Sequence, residues 1–171
     1  MALRTIREYG DEVLAKKCKE IKLMTPGLSL LIKDMFETMY DAGGVGLAAP
    51  QVGVLKRVCV IDTAGSEEDP EPYVLINPEI ILAEGEQEGY EGCLSLPGKS
   101  GIVKRPDHVI VRALNEKMQP YELEAEGLLA RAICHETDHL DGKMYVELVE
   151  GELVNNEDLV AAQEDGEEDP E

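Results

Sequence analysis

Histidine is scarce in this chain, yet two of its three copies, His135 and His139, stand four residues apart with Glu136 beside the first. The run reads Cys134, His135, Glu136, Thr137, Asp138, His139, an HExxH pattern. On a helix, the four-residue spacing puts both imidazoles on one face, where they can grip one metal ion from the same side. Glu136 is rotated by about 100° from His135 and can instead reach a water at that metal as general base. The chemistry this names is metal-assisted hydrolysis, with no substrate specified. A solvated helix carrying two idle histidines is the alternative reading of the motif.

Two histidines need a third protein ligand if one position is to stay open for water. Cys93, in the run Glu91, Gly92, Cys93, Leu94, Ser95, offers a soft thiolate next to a glycine that permits a sharp backbone path. Glu157 would instead give the two-His-plus-Glu set of many zinc proteases. Cys93 is the better candidate because Glu157 falls in a polar C-terminal stretch, although a lone cysteine often serves only as a small buried hydrophobe. Gly44 to Ala49 matches GxGxxA, but it follows a helical pattern and runs into Pro50, so a dinucleotide site is excluded by context. Such a turn can bring backbone close to an extended ligand, and Gln51 after it can donate to a developing oxyanion; a structural turn with a solvent-facing glutamine fits equally well. His108, after Pro106, reads as a strand-end surface residue.

The elements around these residues follow from periodicity and caps. Gly127 to Ile133 is a good helix former with an apolar side, and Gly142 stops the helix that carries the HExxH run. Thr25 as N-cap and Pro26 after it open a longer helix whose apolar face is Leu28, Leu31, Ile32, Met35, Phe36 and Met39, ending at Gly43 and Gly44. A short helix is expected over Asp11 to Lys17. Val54 to Asp62 is β-like, Thr63 to Pro72 has loop composition, and Tyr73 to Glu84 suggests two strands broken at Asn77 and Pro78. Val109 to Leu114 and Tyr121 to Ala125 form a hairpin around Asn115 to Gln119, and Met144 to Val149 a last short strand. Without repeating βαβ units, the pattern predicts an α+β fold with antiparallel sheets packed around a central HExxH helix.

The chain has 171 residues, 43% of them apolar, which suits one domain with a single core. There is neither a long apolar run nor an export-signal pattern, so a cytoplasmic protein without a membrane span is expected. Cys18, Cys59, Cys93 and Cys134 show no CxxC pairing and read as reduced thiols, mostly buried. The net charge of −20 is uneven, for every Lys and Arg lies at or before Lys143 and 11 acidic residues fall between Glu147 and Glu171. Residues 1–150 therefore read as the catalytic body, and 151–171 as an acidic tail ending in a disordered stretch from Gln163. With no basic stripe, direct nucleic-acid binding is not expected.

GVGLAAPQ at Gly44 to Gln51, EGCLS at Glu91 to Ser95 and HETDH at His135 to His139 together resemble the three signature motifs of the peptide deformylase family, in order and in spacing. Compatible sequence runs from about Leu3 to Glu150. The resemblance implies that Cys93, His135 and His139 bind the metal and that Glu136 is the acid/base. It further implies that Gln51 and the Leu94 backbone NH stabilise the oxyanion, and that Gly46 helps hold the substrate backbone. The implied reaction removes the formyl group from the N-terminal methionine of nascent polypeptides, with transient ribosome contact and a monomeric enzyme. Val45, Leu128 and Ala132 are the expected wall of the methionine pocket. The implied metal is Fe2+ in the cell, with Zn2+, Ni2+ or Co2+ as alternatives in a preparation. Cys134 stands where the family usually has glutamine, and the acidic C-terminus departs from members that end in a basic ribosome-contacting helix.

Overall fold

The computed structural model describes residues 2–64 and 70–159. Helix α1 (Pro26–Asp41) begins as its sequence dictates, with the Thr25 hydroxyl accepting from Leu28 N at 3.0 Å and Pro26 in the first turn. Its face of Leu28, Leu31, Ile32, Met35 and Met39 is buried. Asp11 caps a shorter element than expected, one turn of 3-10 helix over Glu12–Ala15.

Five strands form one antiparallel sheet in the order β1 (Gly46–Ala48), β2 (Val58–Ile61), β3 (Tyr73–Glu84), β6 (His108–Leu114) and β7 (Pro120–Glu126). The β6–β7 hairpin turns at Asn115 to Gln119 as the alternation requires. The break expected at Asn77 and Pro78 is instead a bulge within the single strand β3, where the register against β6 shifts between Ile76 and Glu79. Asn77 takes φ +52°, and its side chain is bonded to both backbone groups of Ile21, so a turn-forming residue bends the strand without ending it.

Antiparallel sheets were expected, but the sequence placed none of the strands that form the second one. It contains β4 (Gln87–Cys93), β5 (Leu96–Arg105) and β8 (Glu150–Asn155), in the order β4-β5-β8. Glycine and charge dilute the β pattern of all three strands. The strand expected over Met144 to Val149 is a 3-10 turn at Tyr145–Glu147, and the true last strand starts at Glu150. Residues 151–155, counted with the acidic tail by their charge, thus pair with β5, and the boundary expected at residue 150 falls at the start of a strand. Residues 160–171, including the stretch expected to be disordered, lie outside the described residues.

Helix α2 (Gly127–Leu140) follows β7 with no intervening residue, Gly127 taking φ +59° at the junction. It is buried on almost every side from Ala130 to Leu140, and Gly142 closes its C-terminal end at φ +78°. One apolar cluster joins α2 residues such as Ile133 and Leu140 to Leu75, Val109 and Val111; another joins α1 to Leu47, Val58, Val60 and Ile76. A helix enclosed in this way must find partners for each polar side chain it carries.

Candidate active site

Three segments distant in sequence meet at one cleft of about 550 Å³. Cys93 is the last residue of β4 before the two-residue turn Leu94–Ser95, which places its thiol over the face of α2. Cys93 Sγ lies 3.3 Å from His139 Nε2, and His139 Nε2 lies 3.2 Å from His135 Nε2. Among the described residues these three form the one group of side chains whose ligand atoms converge within 4.8 Å. Glu157 is exposed in the helical turn after β8 and takes no part. Cys134 faces a different cavity, lined by Ile80, Arg105 and Asp138, and burial pushes its thiol up to about 11. The 100° offset between neighbours on a helix thus turns Cys134 away from the face that carries His135 and His139, as expected.

The orientation of His135 is fixed by Glu91. Its Nδ1 meets Glu91 Oε1 at 2.5 Å, which makes Nδ1 the donor and directs Nε2 towards Cys93 and His139. The Glu91 carboxylate is itself held by Arg105, through Nη2 at 2.6 Å and Nε at 3.1 Å, and by Arg131 Nη1 at 2.8 Å. Arg105 also reaches Asp138 at 2.7 Å. Burial alone would raise the Glu91 pKa, but hydrogen bonds and charge from His135 and Arg105 bring it down to about 2. Burial likewise works against a positive charge on His135, yet Glu136, Cys93 and Glu91 outweigh it and raise its pKa well above the ordinary value. His139 is pushed the other way, by burial and then by His135. A thiol and two inward-facing imidazole nitrogens, in surroundings that favour a positive charge at His135, fit a soft-to-borderline divalent metal.

Glu136 is fully enclosed, and burial raises its carboxyl pKa to about 7. Its Oε1 has no hydrogen-bond partner, which is unusual for a buried carboxylate and typical of an oxygen kept for chemistry. The other oxygen lies against Gly46, where an added Cβ would stand 2.5 Å from Oε2. Gly46 is therefore glycine because the carboxylate needs that space.

Gln51 is 1% exposed, which removes the solvent-facing alternative. Its Oε1 accepts from Ala48 N at 2.9 Å, fixing the amide so that Nε2 points to Ser95 Oγ at 3.0 Å and to Cys93 Sγ at 3.5 Å. The Leu94 side chain packs against Gly44, where an added Cβ would stand 2.6 Å from Leu94 Cδ1, and both line the cleft. Val45, Leu128 and Ala132 all line the cleft, Leu128 at its exposed mouth and Ala132 buried within it. Sequence reasoning assigned no role to Glu91, Ser95, Arg105 or Arg131. The available signals were Glu91 two residues before Cys93, hence on the same strand face, and the isolated Arg131 within an apolar helix.

An α+β scaffold that delivers a Cys-His-His cluster and a buried glutamate to one cleft defines a candidate metallohydrolase. The polypeptide deformylase family model matches residues 3–153, and the chain belongs to that family of enzymes. A peptide deformylase of Lachnoclostridium phytofermentans is 63% identical over 153 residues, covering 90% of this chain and 93% of that protein. One from Agathobacter rectalis is 61% identical, covering 90% and 94%. Among crystal structures, a peptide deformylase from Legionella pneumophila superposes with TM-score 0.83 at 47% identity, covering 87% of each chain. That of Synechococcus elongatus in complex with actinonin gives 0.82 at 44%, covering 85% of this chain and 80% of the other. No described helix is long and apolar enough to cross a membrane.

Proposed function

We propose that this protein hydrolyses the N-formyl group from the N-terminal methionine of newly made polypeptides, releasing formate and a free amine. The observation that carries this reading is the convergence of Cys93, His135 and His139 beside an unpartnered Glu136 oxygen in a cleft closed on one side by the Gln51 amide. Cys93, His135 and His139 would hold one divalent metal, which when bound supplies a Lewis acid for the formyl oxygen and lowers the pKa of water towards neutrality. Fe2+ is the metal we propose for the cell, with Zn2+, Ni2+ and Co2+ able to fill the same donor set.

Glu136 takes the proton of the attacking water at Oε1 and delivers a proton to the leaving nitrogen as the C–N bond breaks. A carboxyl with a pKa of about 7 is poised for both transfers near neutral pH. The Gln51 Nε2 group and the Leu94 backbone NH donate to the oxygen that gains charge in the tetrahedral intermediate. β1 lies at the edge of its sheet, so the backbone at Gly46 can pair with an extended substrate. Val45, Leu128 and Ala132 would enclose the methionine side chain.

We place the enzyme in the cytoplasm as a monomer that meets its substrate near the ribosome, a contact that the acidic stretch after Lys143 would not make. Formylated and unformylated Met-peptides, scored for formate and for internal cleavage, test the reaction. Formate from the formylated peptide alone is expected, whereas internal cleavage would point to an HExxH peptidase. Cys93→Ala should lose both metal and turnover; retention of both would remove Cys93 from the ligand set.

A further inference from the structure

Arg131 stands where an apolar pocket wall would be expected. It precedes His135 by one helical turn, lines the cleft next to Ala132, and its side chain is only 9% exposed. One nitrogen does all of its recorded pairing: Nη1 donates to Glu91 Oε2 at 2.8 Å and to the Val103 carbonyl at 3.2 Å. Among the described residues no partner is recorded for Nε or Nη2, and neither is sealed away as a buried orphan. A guanidinium with unspent N–H donors thus lines the same cleft as Val45, Leu128 and Ala132, the walls proposed for the first side chain of a formylated peptide.

Thioether sulfur is a weak acceptor and gains little from such donors, whereas a sulfoxide oxygen is a strong acceptor that a purely apolar pocket would reject. We propose that Arg131 extends the substrate class of this enzyme to peptides that begin with N-formyl-methionine sulfoxide. The inference rests on the deformylase reading above. Water adds across the formyl C–N bond and formate leaves with the free amine, as for the unoxidised substrate; the sulfoxide oxygen is bound and unchanged.

The test compares kcat/KM for three peptides differing only in the first residue: formyl-methionine, its sulfoxide, and formyl-norleucine. The wild-type enzyme should turn over the sulfoxide within about tenfold of the thioether, and Arg131→Leu should lower the sulfoxide-to-thioether ratio by about tenfold to a hundredfold. Arg131→Lys, which keeps charge and donors, should retain more of that ratio. If the wild type rejects the sulfoxide by more than about a hundredfold, as a donor-free pocket would, the proposal is wrong without reference to any variant. An unchanged ratio in Arg131→Leu would also overturn it. Failure on the formyl-methionine peptide itself would instead overturn the deformylase reading, so the two outcomes are distinguishable.

Discussion

Glu91 Oε1 and His135 Nδ1 are 2.5 Å apart, and that contact joins a strand of the small sheet to the helix that holds the HExxH motif. Because Arg105 and Arg131 converge on the same carboxylate, removing Glu91 strands the buried Arg131, leaves Arg105 with Asp138 alone and frees one imidazole. Glu91→Ala is expected to lower metal affinity by about 10- to 100-fold and to cost about 3–5 kcal/mol of stability. Equilibrium dialysis and denaturant titration measure the two effects, and a variant that matches the wild type in both would show that the cluster is dispensable.

Glu136→Gln should bind metal as the wild type does and lose about 100- to 10,000-fold in kcat. Gly46→Ala approaches the same loss by another route, since its methyl would occupy the space of the Glu136 carboxylate. Metal analysis beside steady-state kinetics checks both variants. Loss of metal in Glu136→Gln would mean that the glutamate is needed for ligation.

For Gln51→Ala a fall of about 100- to 1,000-fold in kcat is expected, with a smaller change in KM, because the donor acts on charge that develops only in the transition state. Ser95→Ala should reproduce part of this effect by releasing one Nε2 hydrogen from its 3.0 Å bond. A change confined to KM in either variant would reassign Gln51 to ground-state binding.

His108 sits between Glu124 at 2.6 Å and Glu84 at 3.3 Å, whose hydrogen bonds and charge raise its pKa. A raised folded pKa adds stability that is complete below the ordinary imidazole value of about 6.5 and fades as pH rises through the folded value. The effect is small at a partly exposed site and should weaken further with salt. Comparing His108→Asn with the wild type isolates this contribution from His135 and His139, and an NMR titration of His108 reads the pKa directly. An ordinary value there would mean that the two ion pairs do not form in solution.

How much could be read in advance depended on how local the signal was. Both helices and the β6–β7 hairpin carry their own caps, stops and alternation, so their positions follow from short stretches of chain. The small sheet does not, since β4 and β5 are rich in Gly, Glu and Lys and β8 comes from a region dominated by charge. Its pairing is a tertiary decision, made by the hairpin at Leu94–Ser95 and by β8 joining from some fifty residues away. At the site, types and spacing singled out the two histidines, Glu136 and Cys93. The support beneath them was hidden because Arg105 looks like an ordinary surface residue and nothing local says that it and Arg131 meet at Glu91.

The direct passage from β7 into α2 at Gly127 leaves no slack between the sheet and the motif. The helix is therefore indexed by the strand, as a dial is by its zero mark. Removing one residue between Leu128 and Ile133 would turn His135 and His139 by about 100° relative to the strand, away from Cys93. Length in this segment should be harder to change than the identity of an exposed residue such as Leu128, since the count of residues aims the ligands.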